Sequence, residues 1–510
     1  MTNPTCRSCG APLSLTLVDL GLQPLANSYV PLANARLADP VYPLHARVCE
    51  KCWLVQVDDV VPAEDIFDGH YAYFSSFSDS WLKHCQAYAA KMTRELKLGP
   101  DSLVIEIASN DGYLLQYFAK AGVPVLGIEP TANTAAEAEK KGVPTRVEFF
   151  TEANAKKLAA EGKRPNLICS ANVLAHVPDI NDFVRGVAAL LTGDAVYTVA
   201  FPHRLNSVRM VQFDTIYHEH YSYLSLIAVE KIFADAGLRV FEVEELPTHG
   251  GSLRVYGCRK AASHAERPGV AKVRGDETAA GFDRAEGYLG FTEKCEAVRA
   301  GLMDFLTQAQ DAGRSVAAYG AAAKGNTLLN YCGIGADLIP FCVDKNPAKQ
   351  NTLLPGSHIP VHDVDELRDN RPDYGVILPW NAPLHQAARA IAPALATGNT
   401  VVAKPSEHTS GSLVELARIA VEEGGLVGAG AVKNFTGKPA AECHSQNRCG
   451  QHQADAEARF AGREIIADDQ GIARDDAALG QAKKGGDDVK RGQAIEGNVE
   501  QERQPLQHRA

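Results

Sequence analysis

An apolar strand, a polar turn and a second apolar strand that ends in an acid constrain the fold of this chain more than any other segment. The first strand and the turn occupy residues 104–115, and the second strand, in residues 125–130, ends at Glu129. In the turn, the polar residues Ser109, Asn110 and Asp111 precede a single glycine, Gly112. An acid about 20 residues beyond such a turn is typical of a βαβ unit that binds a nucleoside. The pattern predicts an α/β fold with a Rossmann-like sheet, and an α/β crossover without a ligand is the alternative.

The chemistry of the turn indicates which kind of nucleoside it binds. It lacks the three spaced glycines that bring bare amides to a pyrophosphate, and its polar side chains and nearby acids suit a ligand with no phosphate and a positive centre. S-adenosylmethionine is such a ligand. We expect Glu129 to accept hydrogen bonds from both ribose hydroxyls, and Glu106 and Asp111 to set the electric field around the cationic cofactor.

Two CxxC pairs near the N-terminus predict a metal site formed by Cys6, Cys9, Cys49 and Cys52. Two such knuckles can enclose a zinc ion in a tetrahedral thiolate cage, and four thiolates leave no open position for catalysis. The pairs are further apart than in a usual zinc ribbon, so part of the intervening segment must loop out. A chance pairing or a redox role is the alternative. The other eight cysteines show no paired framework and are expected to be buried free thiols.

Residues 212–223 concentrate two imidazoles, a carboxylate and several phenols in one partly apolar segment. Such a density of titratable groups indicates proton transfer, although a metal site or a hydrogen-bonded surface strand would account for it as well. In an extended strand His218 would share a face with His220, while Tyr217 and Glu219 would face the other way. Spacing alone therefore does not exclude His218 as a catalytic residue and does not place the other candidate side chains on one face. The run is also compatible with an irregular loop.

Length and charge limit the class of protein. A chain of 510 residues with a net charge of −11 is long enough for several domains and lacks the basic balance of a general nucleic-acid binder. The sequence shows no apolar run long enough to span a bilayer and no charged region followed by an apolar core at its start. We expect a cytoplasmic protein that contacts neither membrane nor nucleic acid.

Together these motifs resemble the sugar C-methyltransferases that act on thymidine-diphosphate-linked 4-keto deoxysugars. Besides the cysteine pairs and the turn at 106–112, the resemblance rests on the order of residues 71–76, 172–179, 217–220, 248–255 and 319–326. It covers about residues 6–381. It implies a zinc-binding module at 1–60, a class I methyltransferase domain with a Rossmann-like fold at 61–285 and a C-terminal Rossmann-like nucleotide-sugar domain at 286–380. The two larger domains are joined by a long helical pattern around residues 286–312.

The resemblance also implies a reaction. A carbon beside a ketone becomes a nucleophile only after it loses a proton, so the site needs a base and a group that stabilises the enolate oxygen. The family's catalytic positions match His220, Tyr217, Glu219, Tyr71 and His176, with His220 as the base that removes the proton from C3 of the sugar. The implied cofactor contacts are Glu106, Ser109, Asn110, Asp111, Gly112, Glu129 and Asn172. The expected enzyme is a monomer with structural zinc that uses S-adenosylmethionine.

In the C-terminal domain, a strand at 315–320 leads into a turn of small residues. We expect Gly320, Lys324 and Asn326 to hold the diphosphate of the sugar nucleotide, because amides and a lysine attract an anion. The alternative is a C-terminal domain that packs against the rest of the chain and binds no ligand. One position departs from the family, since Ala200 stands where related sequences often carry an acid, and a supporting contact could be missing there.

From about residue 378 to 425 the chain resembles the NAD-binding core of aldehyde dehydrogenases instead. The positions of Asn381, Lys404 and Glu407 match an oxyanion donor and ribose contacts of that family. No matching nucleophile follows, and Cys443 is too close to Asn381 to be one, so aldehyde oxidation lacks its covalent partner. We infer a fusion at 378–381, after which residues 387–395 and 399–403 could replace a helix and a strand of the sheet.

Residues 381–430 are thus a dehydrogenase-like fragment, and residues 431–510 have the composition of a disordered tail. The favoured function is C3 methylation of a nucleotide-linked 4-keto deoxysugar. A non-catalytic scaffold that binds zinc and a nucleotide is an alternative, and an aldehyde dehydrogenase remnant is another.

Overall fold

Three β-sheets organise the part of the chain that the computed structural model describes, which is residues 4–58, 61–62, 74–77, 79–378 and 400–403. The first sheet belongs to the N-terminal module, the second to the expected methyltransferase domain and the third to the C-terminal domain. Each of the outer sheets includes a strand from another part of the chain.

The N-terminal sheet is antiparallel, with the strand order β1-β3-β4-β10. Its strands are β1 (Leu15–Gln23), β3 (Tyr42–Val48), β4 (Val55–Val57) and β10 (Ser222–Tyr223). Alternate residues of β3 are buried, as the period of two in a strand with one wet face requires. Strand β10 directly follows the histidine-rich run, and Ser222 pairs with Gln56. The run is therefore attached to the N-terminal module.

The central sheet has seven strands in the order β11-β12-β9-β8-β5-β6-β7. They are β5 (Val104–Ile107), β6 (Val125–Ile128), β7 (Thr145–Arg146), β8 (Leu167–Ala171), β9 (Val196–Pro202), β11 (Leu238–Leu246) and β12 (Ser252–Arg259). Strands β5 to β9 are parallel, and β12 is antiparallel to both of its neighbours. The strand order reverses between β5 and β8, and ligands of such sheets bind at the carboxyl ends beside this switch point.

The C-terminal sheet has the order β18-β17-β13-β14-β16-β15-β2. Its strands are β2 (Val30–Pro31), β13 (Val316–Tyr319), β14 (Cys342–Val343), β15 (Thr352–Leu353), β16 (Pro360–His362), β17 (Tyr374–Ile377) and β18 (Thr400–Ala403). Strand β18 pairs in parallel with β17, so the prediction that residues 399–403 complete this sheet is confirmed. The predicted helix at 387–395 lies outside the described residues. At the opposite edge, β2 is contributed by the N-terminal module.

Amphipathic helices cover these sheets. Helix α1 (Asp79–Glu95) buries Cys85, Tyr88, Ala89 and Met92, which lie on one face because helical residues three or four apart are neighbours. The other helices are α2 (Leu115–Lys120), α3 (Ala132–Lys140), α4 (Glu152–Ala160), α5 (Ile180–Leu190), α6 (Arg204–Arg209), α7 (Leu226–Asp235), α8 (Pro268–Ala279), α9 (Phe291–Asp311), α10 (Ala323–Cys332) and α11 (Glu366–Asn370). Short 3₁₀ helices cover Leu32–Asn34, Ser75–Phe77, Leu174–His176, Phe213–Thr215, Thr248–Gly250 and Ala285–Gly287.

The hydrophobic cores connect the domains. One core contains residues of the N-terminal sheet, of helix α9 and of the C-terminal sheet, such as Leu17, Leu302 and Val361. The four zinc-site cysteines adjoin another core, which is formed mainly by the central sheet. Every described cysteine is free, and the six described outside the CxxC pairs are buried. Among the described helices, none combines the length and the apolar character that a membrane crossing requires.

Candidate active site and metal centre

The four cysteines of the CxxC pairs converge on one point. Their sulfur atoms all lie within 4.8 Å of one another, with 3.5 Å between Cys6 and Cys52 and 3.4 Å between Cys9 and Cys49. A tetrahedral zinc ion with bonds of about 2.3 Å separates its sulfur ligands by about 3.8 Å, so the cluster fits this ion. The wide spacing in sequence is accommodated because the segment between the pairs forms strands β1 to β3.

Hydrogen bonds support the sulfur atoms as metal ligands. The Gln56 amide donates to Cys6 Sγ at 3.2 Å, and the Cys52 backbone amide donates to Cys49 Sγ at 3.5 Å. The hydrogen bond between Cys6 and Cys52 lowers the pKa of Cys6 to about 4 and raises the pKa of Cys52, because the two sulfurs share one proton. A bound zinc ion displaces such protons and holds all four ligands as thiolates.

The polar turn after β5 is held open by left-handed backbone conformations. Ala108, Asn110 and Gly112 have φ angles of 55°, 47° and 74°, and the Asn172 turn after β8 has one of 56°. Glu129, at the end of β6, lies under the first turn and accepts hydrogen bonds from the amides of Asn110 at 2.8 Å and Thr131 at 3.0 Å. The predicted cofactor residues around the two turns therefore lie at the carboxyl ends of neighbouring parallel strands.

The three acids of this region are not equivalent. Glu106 is completely buried on β5, and burial raises its pKa well above the usual value, with further increases from Glu129 and Asp111. Asp111 is also buried, but its carboxylate bonds the Lys141 ammonium at 2.9 Å. The pKa shift of Glu106 favours its neutral form, and the charge of Asp111 is paired with that of Lys141, so the two acids differ in the field they can supply. The cofactor contacts expected of Glu106, Asp111 and Glu129 stay predictions.

Part of the motif at 71–76 covers the turn. The amide of Ser75 donates to Asn110 Oδ1 at 2.9 Å, and the amide of Ser76 donates to Asp111 Oδ2 at 3.3 Å. Tyr71 itself lies outside the described residues. The buried Ser109 hydroxyl packs against Gly127, where an added Cβ would lie 2.4 Å from it, so that its side chain supports the sheet.

The histidine-rich run forms a turn, and this brings its functional groups together. The His220 amide donates to the Tyr217 carbonyl at 2.9 Å, and the Tyr217 hydroxyl lies 2.9 Å from His220 Nε2. His220 Nδ1 is 2.9 Å from the Thr215 carbonyl oxygen, which can only accept. Nδ1 therefore carries the proton, and Nε2 presents a basic lone pair to the hydroxyl.

A second imidazole approaches this pair. The rings of His176 and His220 meet edge to face, with 4.6 Å between their centroids. Burial lowers the pKa of His176 to about 4, so this ring is neutral at physiological pH. His176 lies in the loop after β8, and His220 lies before β10. The central sheet and the N-terminal sheet thus jointly bring the two histidines together.

Glu219, between His218 and His220 in the run, has a side-chain partner that the sequence did not indicate. The Asn27 amide of the N-terminal module donates to Glu219 Oε1 at 2.6 Å, and burial raises the pKa of this carboxyl. No motif surrounds Asn27, so nothing in the sequence predicted this contact. The C-terminal domain also reaches the run, since the Thr327 hydroxyl donates to the Ile216 carbonyl at 3.1 Å.

His218 points away from this group. It is only 3% exposed, its Nε2 lies 3.2 Å from the Pro43 carbonyl oxygen, and its ring meets Tyr42 edge to face. The N-terminal sheet therefore occupies the side of the run that carries His218, while the ring of His220 meets that of His176.

Ala200 lies directly opposite Arg254 in the pairing of β9 and β12. The Arg254 guanidinium bonds Glu244 Oε2 on the other neighbouring strand at 3.1 Å, and donates to His84 Nε2 at 2.8 Å. The arginine opposite Ala200 therefore has a carboxylate partner on β11 and an imidazole partner on α1.

The small-residue turn of the C-terminal domain is bonded within the chain. The amide of Gly320 donates to the Val343 carbonyl, and the amide of Ala321 donates to the fully buried Asp344 carboxylate. The Tyr29 hydroxyl and the Lys349 ammonium donate to the Ala321 carbonyl. These contacts satisfy the amides of Gly320 and Ala321, two of the small residues that the sequence suggested for a diphosphate.

Of the three residues expected at this diphosphate, Asn326 is also committed to the fold. It is buried, and its amide donates to the Ala26 carbonyl at 2.7 Å. Lys324, in the first turn of α10, is only half-buried.

A methyltransferase that uses S-adenosylmethionine and carries a structural zinc ion is the class that this sheet order and these two sites define. Family models agree along the chain: a zinc binding domain matches residues 6–67, a methyltransferase domain matches 81–243 and a C-methyltransferase C-terminal domain matches 247–405. The chain belongs to the C-methyltransferase family. It is 35% identical over 376 residues to C-methyltransferase NovU from Streptomyces niveus, which is 74% of this chain and 89% of that protein.

The dehydrogenase resemblance is confirmed as well, but it is short. The chain is 52% identical over 62 residues to phenylacetaldehyde dehydrogenase from Pseudomonas fluorescens and 56% identical over 50 residues to lactaldehyde dehydrogenase from Escherichia coli. These matches span 12% and 10% of the two dehydrogenases. The match to the C-methyltransferase C-terminal domain continues past the inferred fusion at 378–381 and includes β18. Asn381, Lys404 and Glu407 lie outside the described residues.

Proposed function

We propose that this C-methyltransferase methylates C3 of a thymidine-diphosphate-linked 4-keto deoxysugar through an enolate. The observation that carries the proposal is the pair formed by His220 Nε2 and the Tyr217 hydroxyl, 2.9 Å apart. A neutral imidazole whose other nitrogen is fixed by a carbonyl is a suitable base near physiological pH.

The proposed reaction begins at the sugar. His220 Nε2 removes the proton from C3, and the electron pair of the C–H bond moves toward the 4-keto oxygen to form the enolate. The carbon then takes the methyl group that S-adenosylmethionine supplies when bound, and the sulfur keeps the electron pair of the bond that breaks. His220 afterwards releases its proton to solvent, which restores the free base.

The enolate oxygen needs a donor, and Tyr217 is the proposed group. Its hydroxyl lies 2.9 Å from the imidazole nitrogen that is to act as base, so a bound ketone would draw this donor away and expose the lone pair of Nε2. Preorganised donors of this kind usually contribute a large share of the stabilisation of a developing oxyanion. Tyr71, which the family resemblance places in the same site, is proposed as a further contact.

The other charged groups are proposed to orient the reactants. Glu219 is held by Asn27, and His176 is neutral, so His176 adds no positive charge that would compete with the cofactor. Glu129 is proposed to hold the ribose of S-adenosylmethionine, since it lies at the end of β6 with little exposure. Lys324 is proposed to contact the diphosphate of the sugar nucleotide. A monomeric state and a cytoplasmic location stay predictions.

Solvent exchange separates the proton transfer from the methyl transfer. The substrate is a panel of thymidine-diphosphate 4-keto deoxysugars, and products are identified by mass spectrometry and carbon NMR. We expect the unmodified enzyme to incorporate deuterium at C3 in the presence of S-adenosylhomocysteine and to add one methyl group with S-adenosylmethionine. His220→Asn should lose both activities.

His218→Asn is the matched control, because it changes the same residue type two positions away on the side that faces Pro43. It should retain both activities. Near-normal exchange and methylation in His220→Asn would exclude this residue as the base. Methylation at nitrogen or oxygen, or at another carbon, would contradict the proposed position of attack.

A further inference from the structure

The first zinc knuckle reaches the loop that carries His176. Arg7, which lies between the two cysteines of the first pair, donates from Nη1 to the Pro178 carbonyl at 3.1 Å and from Nη2 to the Val57 carbonyl at 2.5 Å. Pro178 follows His176 by two residues. One guanidinium therefore joins the metal module to a loop of the central sheet.

The same guanidinium also contacts the run that carries His220. Its carbon lies 5.2 Å from the centroid of the Tyr221 ring, and Tyr221 directly follows His220. The amide of Val57, whose carbonyl Arg7 bonds, donates to the Tyr221 carbonyl at 3.2 Å. Arg7 is thus in contact with residues one or two positions from each histidine.

On its other side, Arg7 is attached to the metal cage. Its amide donates to Gln56 Oε1 at 2.9 Å, and the same Gln56 side chain donates to Cys6 Sγ. The Asn181 amide, from the start of α5, donates to the carbonyls of Ser8 at 2.7 Å and Arg7 at 3.3 Å. The knuckle is consequently bonded to the central sheet through both its backbone and its arginine.

We propose that Arg7 is a positioning residue: it holds the loops of His176 and His220 at the separation at which their rings meet, and so makes the geometry of the site depend on the folded zinc knuckle. The planar fork of an arginine can bond two carbonyls on different elements at once, whereas a lysine presents a single point charge. The zinc ion then has an indirect role in the reaction although its four ligands leave no open position. The part of this inference that concerns turnover rests on the proposed function.

The test compares Arg7→Gln and Arg7→Lys with Glu50→Gln as the control. Glu50 occupies the equivalent place in the second cysteine pair, but it is exposed and bonds Ser14. The measurements are zinc content per chain, affinity for S-adenosylhomocysteine by calorimetry, kcat and KM for methyl transfer, and the ring ¹⁵N signals of the histidines. The His220 signals are assigned by their absence in His220→Asn.

We expect Arg7→Gln to keep its zinc and its cofactor affinity while kcat falls roughly 10- to 100-fold. Losses of this size are typical for residues that hold the functional groups of a site in place without contacting the substrate. The His220 signals should move away from those of a single tautomer protonated at Nδ1. Arg7→Lys should show a smaller fall in kcat, and Glu50→Gln should match the unmodified enzyme.

Unchanged kcat and unchanged histidine signals in a zinc-loaded Arg7→Gln protein would overturn the inference. Loss of zinc from both arginine variants would overturn it too, because Arg7 would then serve the metal site alone. If Arg7→Gln does not fold, Arg7→Lys supplies the decisive comparison. If the unmodified enzyme transfers no methyl group to any sugar of the panel, the proposed function fails, while zinc content and histidine signals still judge the role of Arg7.

Discussion

Removal of one hydroxyl group, in Tyr217→Phe, tests the proposed chemistry with a small structural change. The phenol oxygen lies 2.9 Å from His220 Nε2, and the two rings are 4.0 Å apart between centroids, so a phenylalanine retains the ring contact. If the hydroxyl only orients the imidazole, its loss costs the net value of one hydrogen bond, about 0.5–1.5 kcal/mol, or roughly tenfold at most in rate.

If the hydroxyl instead donates to the enolate oxygen, the loss is larger. Removal of one donor to a developing oxyanion costs about 2.7–4 kcal/mol, which is roughly 100- to 1,000-fold in kcat. We expect this larger value. Because enolate formation precedes methyl transfer, deuterium incorporation at C3 should fall by the same factor, while the affinity for S-adenosylhomocysteine should stay unchanged.

The assay measures C3 exchange by proton NMR in D₂O and methyl transfer by mass spectrometry. Tyr331→Phe is the control, since it removes a phenol that bonds Glu296 in the C-terminal domain. A fall of less than about tenfold in both rates would reduce Tyr217 to an orienting role. A fall in methyl transfer with normal exchange would refute the reasoning, because the enolate would then form without this donor.

Three further predictions concern the other parts of the chain. Glu129→Gln should weaken the binding of S-adenosylhomocysteine by about 1.5–3 kcal/mol, the value of hydrogen bonds to a charged group, and calorimetry that shows equal affinity would exclude the ribose contact. Burial lowers the pKa of His176 to about 4 from about 6.5 in an unfolded chain, so the unfolded state takes up the proton first as the pH falls. The contribution of this neutral ring to the free energy of unfolding is complete above pH 6.5 and is lost as the pH falls toward 4. In denaturant titrations, His176→Gln should therefore lose roughly 1–3 kcal/mol less of its unfolding free energy over this pH range than the unmodified chain. A chain that ends after residue 405 should keep the melting temperature of the full chain, whereas one that ends after residue 378 lacks β18, leaves the edge of β17 unpaired and should melt lower and aggregate. Equal melting curves for the two truncations would show that the dehydrogenase-like fragment does not complete the sheet.

The cysteine cluster and the place of the polar turn beside Glu129 were largely predictable from the sequence, because each is built from short motifs with a characteristic spacing. Two cysteines three positions apart point into one turn, and an acid that ends the strand after a polar turn lies beside that turn in any parallel pair. The contact between Tyr217 and His220 was harder to predict from the sequence. It depends on a reverse turn, while an extended run would have placed the two side chains on opposite faces.

The state of the acids near the cofactor turn could not be predicted. Glu106 and Asp111 are both acids in the sequence, but burial raises the pKa of Glu106, whereas Asp111 forms an ion pair with Lys141. Desolvation and pairing depend on what packs around a carboxyl group, and both are decided by residues distant along the chain.

The amino-acid sequence by itself determined the class of the central sheet, the zinc ligands and the set of groups from which the site is built, since these follow from local order and spacing. Only the tertiary structure decided that Asn27 holds Glu219 across 192 positions, that Arg7 meets Pro178 across 171, and that Tyr29 closes the turn at Ala321 across 292. Such contacts leave no periodic mark in the sequence, because they arise where separately folded surfaces meet and each polar group must find a partner as water is excluded.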